Sequence, residues 1–190
     1  MGQIKTCQML IDGAWVGASD GQTFPSLSPI TGHPWALIPE ATAQDIDRAV
    51  RAADRAFTSG PWATMTPSQR GKCLRKLGDL LADASEFLGQ AETQDTGKML
   101  KETRWQAKYI AEFFHFYAGA ADKLSGEVLP IDKPDMFVFA HREPLGVVAA
   151  IVPWNSQLFL SAVILGPALA VGYTVVLKAS EHASVPMLEF

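Results

Sequence analysis

One amide and one ammonium–carboxylate pair stand out in a stretch of otherwise apolar sequence. Residues 146–181 read GVVAAIVPWNSQLFLSAVILGPALAVGYTVVLKASE, with no charged residue before Lys178. The amide of Asn155 has two N–H donors and no charge, so it can stabilise a developing oxyanion without neutralising it in the ground state. Lys178 and Glu181 are three residues apart, which suits them to binding the hydroxyls of a ribose. The alternatives are a turn role for Asn155 and an ordinary surface ion pair for Lys178 and Glu181.

A strand, a helix and a second strand are predicted to position these side chains. Residues 147–152 (VVAAIV) are typical of a strand buried on both faces of a parallel sheet, and Pro153 ends it. Residues 157–171 predict a crossover helix, and residues 174–177 (TVVL) predict the second strand. Because parallel strands joined in this way end at the same edge, we expect Asn155 and Lys178 to face one crevice. Ligands of open α/β sheets bind at such edges.

A membrane span is the main competing interpretation of this apolar stretch. Residues 158–177 are uncharged and long enough to cross a bilayer. Pro167, Gly172 and the lack of a basic cluster at either flank favour the crossover helix. The first six residues formally match a myristoylation pattern, but that pattern is short. We therefore expect no membrane association.

Composition excludes several other classes of protein. The chain has 190 residues, a net charge of −4 and 48% hydrophobic residues, which indicates a soluble globular protein without a nucleic-acid-binding surface. Cys7 and Cys73 are far apart in sequence and offer neither a disulfide framework nor metal-ligand spacing, which fits a protein of the reducing cytoplasm. The four histidines also lack the spacing of metal ligands.

The region before residue 146 is predicted to combine short strands with long helices. Asp12-Gly13 predicts a hairpin over residues 8–16, and residues 25–39 are expected to form an extended loop. Thr42 with Asp45, and Thr66 with Gln69, are capping patterns that begin two helices, the second carrying apolar residues to Leu88.

A third helix is predicted over residues 99–124, followed by an exposed β-hairpin over residues 127–131 and 137–142. We assign the aromatic stripe of this helix to core packing; it consists of Trp105, Tyr109, Phe113 and Phe116. Asp95, just before the helix, is compatible with an N-cap region.

Six groups of short motifs occur in one order along the whole chain. The C-terminal group is PWN at 153–155, GPALA at 166–170 and KASE at 178–181. The earlier motifs are IDG at 11–13 with WV at 15–16, SPITG at 28–32, IPEA at 38–41, ETQDTGK at 92–98 and REPLGV at 142–147. Together they resemble the N-terminal half of the NAD(P)-dependent aldehyde dehydrogenases.

The resemblance implies an α/β fold, with helices and the first βαβ unit of a Rossmann-like coenzyme domain. It divides the chain into an N-terminal hairpin and helical part of the coenzyme domain (residues 1–126), a β-hairpin oligomerisation arm (residues 127–144) and the βαβ unit (residues 145–190). It also implies a homodimer or homotetramer when the protein is full length.

The resemblance gives roles to the residues at the strand ends. Asn155 would hold the aldehyde carbonyl oxygen during attack by a thiol, and Lys178 with Glu181 would bind the adenosine ribose of the coenzyme. The coenzyme crevice would be lined by the backbone and rings of Val152, Pro153 and Trp154. Two departures from the family pattern are Ala179, where proline is common, and Ser156, where many members have a bulky aromatic residue.

Glu181 favours NAD over NADP, because a carboxylate accepts a hydrogen bond from a free 2′-hydroxyl and repels a phosphate. NADP stays possible, since Lys178 could accommodate that phosphate. No G-x-G-x-x-G motif lies between the strand and the helix, so the usual dinucleotide fingerprint is not used.

The resemblance places the nucleophilic cysteine and the glutamate base beyond Phe190. Neither Cys7 nor Cys73 lies in a matching motif, and Asp95 matches a position near a monovalent-cation site. We therefore expect the N-terminal portion of an enzyme that oxidises an aldehyde through a cysteine thioester, inactive by itself and prone to associate through unpaired strands. The alternative is a non-catalytic nucleotide-binding or oligomerisation module.

Overall fold

A computed structural model describes residues 4–190, so the start of the myristoylation pattern lies outside the described residues. The N-terminal elements are β1 (Lys5–Thr6), β2 (Met9–Ile11), β3 (Ala14–Val16), β4 (Thr23–Leu27), β5 (Pro34–Pro39), α1 (Ala43–Thr58), α2 (Pro61–Thr64), α3 (Pro67–Asp83), α4 (Ser85–Thr96) and α5 (Leu100–Ala120). The later elements are β6 (Glu127–Leu129), β7 (Val138–Ala140), β8 (Val147–Ile151), α6 (Gln157–Ala170), β9 (Thr174–Lys178) and α7 (Val185–Glu189).

The N-terminal hairpin is confirmed, whereas the extended loop is wrong. Asp12 and Gly13 have φ values of 56° and 74°, the backbone that a two-residue turn between β2 and β3 requires. Residues 25–39 contribute β4 and β5, which pair antiparallel, and β1 pairs parallel with β5. Pro25 is tolerated because β4 is an edge strand, where a missing N–H breaks no ladder.

Both capping boxes form and begin α1 and α3, as predicted. The second predicted helix is divided, since α3 ends at Asp83 and α4 begins at Ser85. The predicted hairpin after α5 is also present, as β6 paired antiparallel with β7.

Most of the aromatic stripe of α5 is not core packing, which corrects the sequence interpretation: of its four rings only Phe113 packs against the core. Trp105 and Phe116 are 61% and 68% exposed, and the buried face of α5 carries smaller residues together with Phe114. This face lies very close to α3: a Cβ on Gly71 would be 2.6 Å from the Ala118 carbonyl oxygen. Such close approach favours small side chains on the buried face, so the large rings are left outside.

The predicted βαβ unit is confirmed. Strands β8 and β9 pair in parallel, and α6 connects them and is followed by Gly172 at φ 101°. Burial on both faces is not observed, because Ala150 is buried while Ile151 is 73% exposed. Helix α6 packs with α3, α4 and α5 in one hydrophobic core, whose largest buried members are Leu74, Leu88, Ile110, Phe114 and Leu158.

The apolar stretch at residues 158–177 is shared between α6 and β9. Among residues 4–190, no helix is both long and apolar enough to cross a membrane.

Candidate active site at the ends of the parallel strands

The two parallel strands end in register at one edge. Ile151 pairs with Lys178, and the Val152 backbone N–H donates to the Lys178 carbonyl oxygen at 3.2 Å. Beyond this pair the chain turns through Asn155 into α6 on one side and through Glu181 towards α7 on the other. The residues that the sequence assigned to the oxyanion and to the ribose therefore lie beyond the same edge.

The Asn155 side chain is exposed in the turn between β8 and α6. Within residues 4–190 its amide makes no hydrogen bond, so both N–H donors are available to a ligand. Before it, Val152 is buried, whereas Pro153 is exposed and Trp154 is half-exposed. Val152 can thus face the edge only through its backbone, while Pro153 and Trp154 can present their rings.

Lys178 and Glu181 form an ion pair, with Nζ and Oε2 3.1 Å apart. Both side chains are more than half exposed. A hydrogen bond from its own backbone N–H, and then the Lys178 ammonium, lower the pKa of Glu181. Glu181 therefore offers an ionised carboxylate, the acceptor that two ribose hydroxyls need.

The turn that carries Glu181 is fixed without a proline at position 179. The Ser184 hydroxyl donates to the Ser180 carbonyl oxygen, and the His182 backbone N–H donates to the Ser180 hydroxyl at 3.3 Å. Ala179 packs against the main hydrophobic core. These contacts hold the turn, so the departure at Ala179 does not leave Glu181 on an unsupported loop.

Asp95 lies in the last turn of α4 rather than at a helix N-cap, so that interpretation is wrong. It is buried and accepts hydrogen bonds from the Ser26 hydroxyl, the Trp35 indole N–H and the Val185 backbone N–H. Burial raises the pKa of Asp95, and these hydrogen bonds oppose the increase. The carboxylate therefore ties the N-terminal sheet to α7; no cluster of three acidic, histidine or cysteine residues suited to a metal occurs in residues 4–190.

A ladder of aromatic rings, exposed at Trp105 and Tyr109 and partly buried at Phe113 and Phe159, connects α5 to the start of α6. Trp105 stacks on Tyr109 with centroids 5.0 Å apart, and Tyr109 stacks on Phe159 at 6.4 Å. Phe113 meets Phe159 edge to face at 5.3 Å. Phe159 lies in the first turn of α6, four residues after Asn155, so a flat apolar surface begins near the amide.

Sequence reasoning missed a buried polar cluster behind the Asn155 turn. Lys98 Nζ lies 2.9 Å from Ser156 Oγ and 3.7 Å from a carboxylate oxygen of Glu92, too far for a hydrogen bond. Glu92 is fully buried, and neither of its carboxylate oxygens has a hydrogen-bond partner in the described part of the chain. Burial raises the pKa of Glu92 to about 7, against the lowering effect of Lys98. The motif ETQDTGK contains both residues, but nothing in it indicates that they reach Ser156.

Glu92→Gln should remove a pH dependence of stability. Between pH 4.5 and about 7 the folded state keeps a proton that an unfolded glutamate has lost, so stability falls as pH rises through this window. The free energy of unfolding falls by about 3 kcal/mol across this window. Urea unfolding of both proteins at pH 5 and pH 8 measures it, with Glu112→Gln on the exposed surface of α5 as the control. An equal loss of stability with pH in Glu92→Gln and the parent would contradict the assignment.

Comparison with known proteins identifies the family of this chain. The sequence pattern described as "Aldehyde dehydrogenase family" matches residues 15–190. The chain is 54% identical over 184 residues to (Z)-2-((N-methylformamido)methylene)-5-hydroxybutyrolactone dehydrogenase of Acinetobacter baylyi, a match that covers 96% of this chain and 37% of that protein. It is 42% identical to aldehyde dehydrogenase family 2 member B4 of Arabidopsis thaliana, covering 95% of this chain and 34% of that protein.

Solved structures agree with the sequence comparison. The NAD+ complex of an aldehyde dehydrogenase from Bacillus cereus superposes with a TM-score of 0.95 at 39% identity, covering 97% of this chain and 38% of that one. The chain thus spans little more than a third of the length of these relatives. The predicted fold class is confirmed, and the chain belongs to the aldehyde dehydrogenase family.

Proposed function

We propose that this chain supplies the oxyanion donor and the coenzyme-ribose contact of an enzyme that oxidises an aldehyde to the carboxylic acid with NAD. One observation carries the proposal: the Asn155 amide, which makes no hydrogen bond within residues 4–190, and the Lys178–Glu181 ion pair lie beyond the same in-register strand ends. Membership of the family and the NAD+ complex of the similar Bacillus cereus enzyme support it.

Each residue contributes to a thiol-dependent oxidation. A cysteine thiolate adds to the aldehyde carbonyl, and the Asn155 amide stabilises the oxyanion that forms. NAD, when bound, accepts the hydride released as the thioester forms, and water then releases the acid. Lys178 and Glu181 hold the ribose, and the backbone of Val152 with the rings of Pro153 and Trp154 faces the coenzyme. The thiolate and the water-activating base come from sequence beyond this chain, in the complete enzyme of the relatives' length.

The substrate proposed here is a planar or cyclic aldehyde. The aromatic ladder on α5 and α6 offers a flat apolar surface that begins one helical turn from Asn155. Aromatic surfaces stack favourably on flat rings. The 54% identical Acinetobacter baylyi relative is named for a ring substrate, a hydroxybutyrolactone.

Steady-state NADH formation by the complete enzyme tests the proposal. A panel should pair ring aldehydes with straight-chain aldehydes of similar size, each with NAD and with NADP. We expect NADH formation, with higher kcat/KM for the ring aldehydes. Absence of turnover with every aldehyde and both coenzymes would overturn the proposed function and favour a non-catalytic nucleotide-binding module.

Glu181→Gln should narrow the preference for NAD over NADP. The substitution removes a negative charge near the 2′-phosphate of NADP while keeping a polar group for the ribose. One such charge in a solvated site is worth about 1 kcal/mol, so kcat/KM with NADP should rise about 3- to 10-fold. Kinetics with both coenzymes measure the effect, and Glu40→Gln, at an exposed position before α1, is the control. A parent enzyme that already prefers NADP would show that Glu181 does not face the ribose.

The three parts of the chain have separate roles in this proposal. Residues 1–126 and 145–190 build the coenzyme domain, and residues 127–144 form an arm for subunit contacts. Several apolar side chains on the arm are exposed, as an interface between copies requires; they are Val128, Leu129, Phe137 and Phe139. A homodimer or homotetramer of the complete enzyme follows, and sedimentation of an enzyme lacking the arm tests it.

A further inference from the structure

Lys98 connects the segment between α4 and α5 to the turn that carries Asn155. Its ammonium Nζ donates to Gln106 Oε1 at 2.7 Å and to Ser156 Oγ at 2.9 Å. It also lies 3.4 Å from a carboxylate oxygen of Glu102 and 3.7 Å from one of Glu92. The Lys98 side chain is only 17% exposed. These hydrogen bonds and nearby carboxylates restrict where the largely buried ammonium can lie.

The hydroxyl of Ser156 is not used as its position predicts. Ser156 is the N-cap residue of α6, and a serine there usually accepts a hydrogen bond from a backbone N–H of the first helical turn. Here the side chain makes no capping hydrogen bond, and its Oγ accepts from Lys98 instead. The Ser156 side chain is therefore tied to a distant segment of the chain, while its backbone carbonyl accepts the regular helical hydrogen bond from the Leu160 N–H at 2.9 Å.

The polar groups behind this contact are costly to bury. Both carboxylate oxygens of Glu92 and both amide atoms of Gln157, the residue after Ser156, lack hydrogen-bond partners within residues 4–190. Burial without partners lowers stability, so an apolar cluster would hold these helices together better. A polar cluster that is costly to stability but contacts the turn is suited to fixing one arrangement of that turn.

Asn155 has little else to hold it. Its side chain is exposed and makes no hydrogen bond in the described residues. The turn is anchored before it by the Val152 N–H to the Lys178 carbonyl oxygen, and after it by Ser156. We propose that Lys98 is a positioning residue, which holds Ser156 and thereby sets where the Asn155 amide lies relative to the reacting carbonyl. This inference rests on the proposed role of Asn155.

A direct role of Lys98 on substrate is a poorer explanation. An ammonium has three donors, of which two go to Gln106 and Ser156. The carboxylates of Glu102 and Glu92 lie 3.4 and 3.7 Å from the same nitrogen and balance its charge. Lys98 acts through Ser156, so its loss should misplace the oxyanion donor without removing a contact to the aldehyde or to the coenzyme.

The test compares Lys98→Met and Ser156→Ala in the complete enzyme, with Lys101→Met, an exposed lysine of α5, as the matched control. Small misplacements of a catalytic group cost up to about 10²-fold in rate, and we expect each tether variant to lower kcat for acylation about 10-fold. KM for the aldehyde and Kd for NAD should change less than about 2-fold, because neither ligand loses a contact. The double variant should be no slower than the slower single one, since both remove one contact.

Amide hydrogen exchange of residues 154–158 provides a readout that does not depend on turnover. Exchange should be faster in both tether variants and unchanged in Lys101→Met. Ser156→Ala keeps the Lys98 contacts with Glu92 and Glu102, so it tests the tether even if Lys98→Met fails to fold. Parent-like kcat in Ser156→Ala would overturn the proposal. If the parent enzyme forms no NADH, the proposed function fails, and unchanged exchange in Ser156→Ala would then overturn the tether as well.

Discussion

Asn155→Ala is expected to lower the acylation rate of the complete enzyme by about 10²–10³-fold, the usual loss for one oxyanion donor. The amide lies in the turn after β8 and makes no hydrogen bond in the described chain, so truncation leaves no buried partner unsatisfied. The loss should therefore appear in kcat and kcat/KM alike, because the interaction forms only as negative charge develops on the oxygen. Rapid-mixing measurement of the first turnover of NADH records the acylation rate directly.

Coenzyme binding separates this role from general damage to the site. Affinity for NAD should change little in Asn155→Ala, because the ribose contact is assigned to Lys178 and Glu181. Gln44→Ala, which removes an exposed amide from the first turn of α1, is the control and should retain parent activity. An Asn155→Ala enzyme with near-normal turnover would remove Asn155 from the mechanism and leave it as a turn residue.

The βαβ unit could be predicted because its signals are local. Pro153 and Gly172 mark the ends of elements, and the change from a long apolar run to β-branched residues separates α6 from β9. Parallel pairing then brings Asn155 and Lys178 to one edge without any further information. The roles of these side chains came from the family resemblance and stay predictions.

The aromatic face of α5 could not be assigned from spacing, since the helix has two faces able to pack. The structure buries the face with Ala107, Ile110 and Phe114 and exposes the one with Trp105. Helix α3 determines which face of α5 is buried, because the two helices approach closely: a Cβ on Gly78 of α3 would lie 2.5 Å from the His115 ring. Close approach of two helices is a property of the pair, and the sequence of one helix does not reveal it.

Long-range contacts account for the other differences. Residues 25–39 contain loop-forming residues, yet pairing with β1 organises β5 between two strands. The Lys98 tether to Ser156 likewise joins positions far apart in sequence. The local sequence around residues 25–39 or around Lys98 does not predict these partners, because each partner belongs to another element of the fold.

The 190-residue chain by itself should show no aldehyde oxidation with NAD or NADP, because acylation needs a thiolate placed opposite Asn155. Cys7 is buried in a second apolar cluster with Ala36, Ile38 and Val185. Burial there raises the pKa of its thiol to about 11, so almost none is ionised near neutral pH. Cys73 is exposed on α3, away from any motif that resembles the family's nucleophile. An oxyanion donor without a nucleophile cannot form the thioester.

NADH production from a panel of aliphatic and aromatic aldehydes measures this, with heat-denatured chain as the background. Light scattering of the same sample reports association, which we expect because exposed apolar side chains such as Ile151 lie on the two-stranded sheet. Turnover above background would reveal a nucleophile within the chain, and Cys73→Ser would be the first variant to examine because its thiol is accessible. A monodisperse monomer that binds NAD without turnover would instead favour a self-contained nucleotide-binding module, since the ribose contact would then suffice without the catalytic half.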